Sequence, residues 1–127
     1  MNSVLVVVED DHDMHTLITI TLRVDSRLQL QGHAATAEEA IEAARQLQPN
    51  LVILDHFIDG PIMGLDAAPL IKQAAPSAQI LLFTSHDLRV EARRESAVNE
   101  YLRKHDIQQL LPTVRRMLGL DKQPVPV

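Results

Sequence analysis

The chain has 127 residues, a formal charge of −5, no cysteine and only 2% aromatic residues. That length fits a single domain, and its core must be built from Val, Ile, Leu and Ala. The lack of cysteine excludes disulfides, thiolate metal sites and thiol nucleophiles. An acidic surface with few rings to stack on bases argues against direct nucleic-acid binding. Apolar runs stop at about five residues, far short of the ~20 a membrane-spanning helix needs. The start has neither the basic stretch nor the small-residue cleavage site of a signal peptide, so the expected location is the cytoplasm.

Val4 to Val8 is a continuous β-branched run, the pattern of a strand buried on both faces. Met14, Leu17, Ile18 and Thr21 then recur at helical spacing. Leu28 to His33 alternates apolar and polar residues, as an edge strand does. Ala37, Ala40, Ile41, Ala44 and Leu47 line one face of a second helix, which Thr36 and Glu39 open as a capping box and Pro49 follows. Leu51 to Leu54 is a third strand. Leu65, Ala68 and Ile71 mark a third helix, and Pro69 fits it only if the helix starts near Asp66. Ile80 to Phe83 is a fourth strand, and Asp87 to Ser96 is a weakly apolar helix. Tyr101-Leu102 is a short fifth strand. Ile107, Leu110, Leu111, Val114 and Leu118 form the stripe of a last helix, with Asp106 placed to cap it and Gly119 to end it.

Strand alternating with helix five times predicts an α/β fold with a parallel sheet and helices on both faces. The domain is expected over residues 1–120. Residues 121–127 are expected to be a disordered tail or the start of a linker.

In an open α/β sheet, ligands bind beyond the carboxyl ends of the strands. The first strand exits at Glu9, Asp10 and Asp11, the third at Asp55, the fourth at Thr84 and Ser85, and the fifth at Arg103 and Lys104. Crowded carboxylates raise one another's pKa unless a cation joins them. Mg²⁺, which takes oxygen ligands and phosphate oxygens, meets that need. The lysine offers a positive charge for a phosphate, and the hydroxyl offers a hydrogen bond to it. One carboxylate beside the ion can then act as a nucleophile and form an aspartyl-phosphate. Asp11 can also be read simply as a helix cap.

With these residues in place, the chain resembles the response-regulator receiver family of two-component signalling over nearly its whole length. The segment from Val4 to Met14 resembles the first strand and acidic pair. PNLVILD resembles the third strand, ILLFTS the fourth, and EYLRK the fifth. The resemblance implies a flavodoxin-like, doubly wound, five-stranded sheet of order 2-1-3-4-5. It also implies phosphorylation of Asp55 by a histidine kinase or phosphotransfer protein. Mg²⁺ would be held by Glu9, Asp10, Asp55 and the main-chain carbonyl of Phe57. Thr84 and Lys104 would bind the phosphoryl oxygens, and Thr84 with Tyr101 would form a switch. That switch would select a downstream partner or an output domain outside this chain, and a homodimer is compatible with it. Such a chain is a phosphoacceptor that assists its own phosphorylation and dephosphorylation rather than an enzyme. The alternative is a pseudo-receiver, a phosphorylation-independent interaction module. An aspartyl-phosphate phosphatase is disfavoured, because no cap domain is evident.

Three features depart from the family pattern. Pro61 and Gly64 come late after Asp55, so the following loop is one residue longer. Phe57 stands where a polar or flexible residue is usual, and its ring is placed to cover Asp55. His105 replaces the usual proline after Lys104. The Lys104–His105 bond is therefore expected to be trans, since a non-proline cis bond costs ~2.5–4 kcal/mol, and Lys104 is expected to be less firmly fixed. His12, His56, His86 and His105 all follow strand exits. They read as separate loop residues or, more sharply, as a ring of imidazoles able to bind a transition metal or sense pH.

Overall fold

A computed structural model describes residues 2–122. Five strands form one sheet of order β2-β1-β3-β4-β5. They are β1 (Ser3–Val8), β2 (Leu28–Ala34), β3 (Leu51–Leu54), β4 (Gln79–Thr84) and β5 (Glu100–Arg103). Every pairing is parallel, and the crossovers are α1 (His12–Arg23), α2 (Ala37–Leu47), α3 (Gly64–Ala74) and α4 (Arg89–Arg94). A 3₁₀ turn, Lys104–Gln109, leads into α5 (Leu110–Met117).

The period of two along each strand divides the core into two layers. Val6, Val8, Val52, Leu54, Ile80 and Leu82 face α2 and α3. Those helices bury Ala37, Ala40, Ala44, Ala67 and Ala68, small residues that let helix backbone approach the sheet closely. Leu5, Val7, Leu51, Ile53, Leu81 and Phe83 face α1 and α5, which contribute Ile18, Leu22, Leu110 and Val114. The central strands are buried on both faces, which explains their continuous apolar sequences.

Asp11 does cap α1, its Oδ1 accepting from the N–H groups of Asp13 and Met14 at 2.9 and 3.2 Å. Thr36 caps α2 by accepting from the Glu39 N–H at 3.2 Å. The Glu39 carboxylate returns to the Ala35 N–H, at 2.8 Å, rather than to Thr36. Gly119, at φ +71°, ends the last helix as the sequence suggests.

Three expectations need correction. The buried face of α1 runs through Ile18 and Leu22, while Leu17 turns outward with Ile20 and Val24. The α3 helix begins at Gly64, not Asp66, so Pro69 lies inside it rather than in its first turn. Asp106 does not cap α5. It sits in the 3₁₀ turn at φ −97°, ψ 35°, and α5 begins beyond it with no side-chain cap. The proposed tail falls mostly on residues 123–127, which lie outside the described residues.

Candidate functional site

The carboxyl ends of β1 and β3 bring their acids together. Glu9 is 2% exposed and Asp55 5%, whereas Asp10 is exposed. Oxygens of Glu9, Asp10 and Asp55 lie within 4.8 Å of one another. The Asp55 N–H continues the sheet ladder to the Val8 carbonyl at 3.1 Å, which fixes where its side chain emerges. Its Oδ1 accepts from the His56 N–H at 2.7 Å. Lys104, just past β5, reaches across to Asp55 Oδ2 at 2.8 Å and Glu9 Oε1 at 2.7 Å.

The electrostatics follow from this packing. Burial pushes the Glu9 carboxyl above its usual range, and the neighbouring Asp55 charge adds to that, against the opposing bonds from Lys104. Asp10 is raised by burial and by its proximity to Asp59 and Asp55. Burial pulls the Lys104 ammonium down, but its bonds to Asp55 and Glu9 outweigh this and leave it above its ordinary value. One lysine thus faces three acids, an excess of negative charge that a divalent cation would relieve. Octahedral Mg²⁺, with metal–oxygen distances of about 2.0–2.1 Å, takes oxygen ligands of this kind, and the three carboxylates offer one oxygen each within 4.8 Å of one another. The donor set fits the ion.

A family model for the response regulator receiver domain matches residues 5–115. The chain belongs to that family. It is 32% identical over 98 residues to the response regulator protein VraR of Staphylococcus aureus, covering 75% of this chain and 46% of the relative. It is 30% identical over 98 residues to VraR of Staphylococcus saprophyticus, with the same coverage. The chain therefore spans about half the length of the curated relatives it matches. Among solved structures, the response regulator domain of Thermotoga maritima CheB aligns with a TM-score of 0.80 at 18% identity, covering 98% of this chain and 99% of that one. The signal receiver domain of the NarL regulator from Mycobacterium tuberculosis aligns at 0.81 and 18%, covering 97% and 98%. These structural likenesses establish the shared sheet order and helix placement.

In this receiver domain the long loop after Asp55 is pinned rather than loose. The Asp59 N–H donates to the Ala35 carbonyl at 3.1 Å, and Asp59 forms a parallel bridge with Thr36. Ile58 is buried beneath it. The loop turns at Gly60, whose φ of +91° only glycine adopts without strain. The loop returns at Gly64, whose N–H donates to the His56 carbonyl at 2.8 Å. The Leu65 N–H donates to His56 Nδ1 at 3.1 Å. These bonds explain why α3 starts before Asp66. A Cβ at position 64 would lie 2.1 Å from the Asp55 carbonyl oxygen. The spacing of Gly64 was legible in the sequence, but not this close approach.

The Thr84 hydroxyl is fully buried and has no hydrogen-bond partner among the described residues. The loop after it is held from β5. The Tyr101 hydroxyl donates to the His86 carbonyl at 2.9 Å and accepts from the Leu88 N–H at 3.1 Å. Arg103 Nη2 donates to the Ser85 carbonyl at 3.0 Å. Sequence reasoning missed Arg103 as a loop anchor.

Every peptide bond among the described residues is trans, that before His105 included. Lys104 is nonetheless fixed between two carboxylates, so the looser placement expected for it is not found. Its flexible stem accommodates the trans geometry. The four strand-exit histidines do not form a ring. His56 and His86 flank Phe57, with centroids 4.7 and 4.3 Å from its ring. His12 is exposed on α1, and His105 lies against Asp106 at 3.4 Å. The Phe57 ring, 43% exposed, thus joins the loop after Asp55 to the loop after Thr84. The pair of imidazoles in closest contact was not anticipated: His15 and His33, with centroids 3.9 Å apart.

Proposed function

We propose that this receiver domain accepts a phosphoryl group on Asp55 from a phosphohistidine and uses it to switch partner binding. The observation that carries this reading is Lys104 bridging buried Asp55 and Glu9, with exposed Asp10 alongside. An Asp55 carboxylate oxygen attacks phosphorus as the P–N bond of the donor breaks. The departing imidazole keeps the electron pair of that bond. Glu9, Asp10, Asp55 and the Phe57 carbonyl would hold Mg²⁺, which when bound offsets charge on the transferring oxygens. Lys104 then exchanges its bond to Asp55 for a phosphoryl oxygen, and the unpartnered Thr84 hydroxyl donates to another. Movement of Thr84 pulls on the loop that Tyr101 and Arg103 hold, so local charge biases a two-state element.

The donor is a histidine kinase or phosphotransfer protein in the cytoplasm. The curated relatives extend beyond the region matched here. One structural neighbour is described as a DNA-binding response regulator of the LuxR family from Staphylococcus aureus. An output domain joined to this one, or a separate partner protein, would read the switch, with or without pairing of two copies.

Asp55→Asn tests the reading. The wild-type chain should be labelled by a small phosphodonor with Mg²⁺, and beryllium fluoride with Mg²⁺ should change its spectra. The variant should show neither response. Labelling of Asp55→Asn at the wild-type level would place the phosphate on another acid. A wild-type chain that responds to neither reagent would instead indicate a phosphorylation-independent interaction module.

A further inference from the structure

The contact between His15 of α1 and His33 of β2 plays no part in the phosphorylation chemistry. Their rings are 3.9 Å apart and tilted by 46°. His33 Nε2 lies 3.1 Å from the main-chain carbonyl of Glu9. A carbonyl only accepts, so that nitrogen carries the proton and Nδ1 keeps its lone pair. A metal-binding histidine is commonly oriented in this way, with its second nitrogen donated to a backbone carbonyl. His15 is pushed below the usual imidazole range, first by burial and then by His33 and His12. The shift favours the neutral ring that a ligand needs.

Both rings line one small cavity of about 150 Å³ between α1 and β2, together with Thr19, Gln31 and Arg23. The Thr19 hydroxyl, one turn after His15, is buried with no partner among the described residues. It is free to hold a water on a bound ion. Arg23 is exposed, and its long stem lets its charge sit in solvent at the rim. His12 is exposed one turn before His15 and shares its side of the helix. It is near enough for its charge to act on His15.

We propose that His15 and His33 bind a borderline divalent transition metal such as Zn²⁺ or Ni²⁺, with His12 as a third ligand. Imidazole selects these ions over Mg²⁺, which keeps to oxygen ligands. The two sites are thus chemically distinct although both touch Glu9. The proposal does not depend on phosphorylation of Asp55.

The test is a calorimetric titration of the full chain with Zn²⁺ in excess Mg²⁺, which occupies the acidic cluster. Imidazole ¹H–¹⁵N spectra recorded alongside show which rings respond. One ion should bind per chain and move the His15 and His33 resonances. His15→Gln and His33→Gln should each weaken binding at least about tenfold, the lower end of the loss seen even for partners outside the ligand shell. His12→Gln should cost less, and His105→Gln nothing. His15 lies on a half-buried helix face, so His15→Gln decides the matter if His33→Gln melts early. The proposal is overturned if Zn²⁺ fails to bind, if His15→Gln titrates like the wild type, or if the resonances that move belong to His56 and His86.

Discussion

Gly64→Ala adds one methyl group where the first turn of α3 crosses the end of β3. The new Cβ would lie 2.1 Å from the Asp55 carbonyl oxygen and 2.7 Å from His56 Cα. A close carbon–oxygen contact is about 3.3 Å, so the first distance is short by about 1.2 Å. Both obstructions are backbone, and no rotamer change relieves them. Either α3 or the Asp55–His56 peptide must shift by about 1 Å, breaking the bonds from Gly64 and Leu65 to His56. Two hydrogen bonds at about 1 kcal/mol each, added to about 1–3 kcal/mol for overpacking, give a loss of about 3–5 kcal/mol. That is a large share of the ~5–15 kcal/mol that holds a domain folded. Urea unfolding should show the midpoint falling with its slope unchanged, and the melting temperature should drop by about 10–20 °C. Beryllium fluoride binding should weaken by up to about 10²-fold, the effect of a 1 Å misplacement of a reacting group. A midpoint within about 0.5 kcal/mol of wild type would refute the steric argument.

Asp25 is fully buried under Arg27, at 2.9 and 2.7 Å, and Arg115, at 3.0 Å. Removing it as Asp25→Ala should cost about 3 kcal/mol in urea unfolding, the lower end for breaking a buried pair, because Arg115 still touches water. The hydrogen bonds from Arg27 hold its carboxyl well below the carboxylate range. The stability it contributes is therefore complete above its unfolded value near ~4 and lost as pH falls through the lower folded value. Acid titration of the wild type should show this loss below about pH 4, and the variant should lack that component. With Asp55 phosphorylated as proposed, Phe57→Ala should shorten the life of the phosphate, followed by its release, because the ring ties the loop after Asp55 to His86 in the loop after Thr84. An aromatic contact of about 0.5–1.5 kcal/mol limits the acceleration to about tenfold, and an unchanged lifetime would show that water enters by another path.

The sheet was legible because β-branched runs cannot sit in solvent, and the site was legible because strand ends fix where side chains emerge. Glu9, Asp55 and Lys104 each follow directly from a strand, and Thr84 is the last residue of one. Errors arose where tertiary contacts decide local structure. Asp106 carries a good capping side chain, but the chain leaving Lys104 tightens into a 3₁₀ turn and moves the start of α5 beyond it. The α3 start was misplaced because its first N–H groups are satisfied by His56, a residue before the loop. The His15–His33 contact was invisible because only the packing of α1 beside β2 creates it. The Asp25–Arg115 pair joins residues 90 apart in the chain. Helical spacing alone does not say which of two adjacent stripes meets the sheet, and Leu17 lies on the outer one.

Tyr101 is the only tyrosine of a chain without tryptophan, and its hydroxyl is bonded to the loop that follows Thr84. The near-ultraviolet signal of this protein above the weak phenylalanine bands therefore comes from one ring at one address. A displacement of that loop changes the hydrogen-bond partners of the phenol. The unlabelled, unmutated chain thus carries its own optical probe, and a stopped-flow trace at tyrosine wavelengths would time the loop itself rather than an average over the molecule.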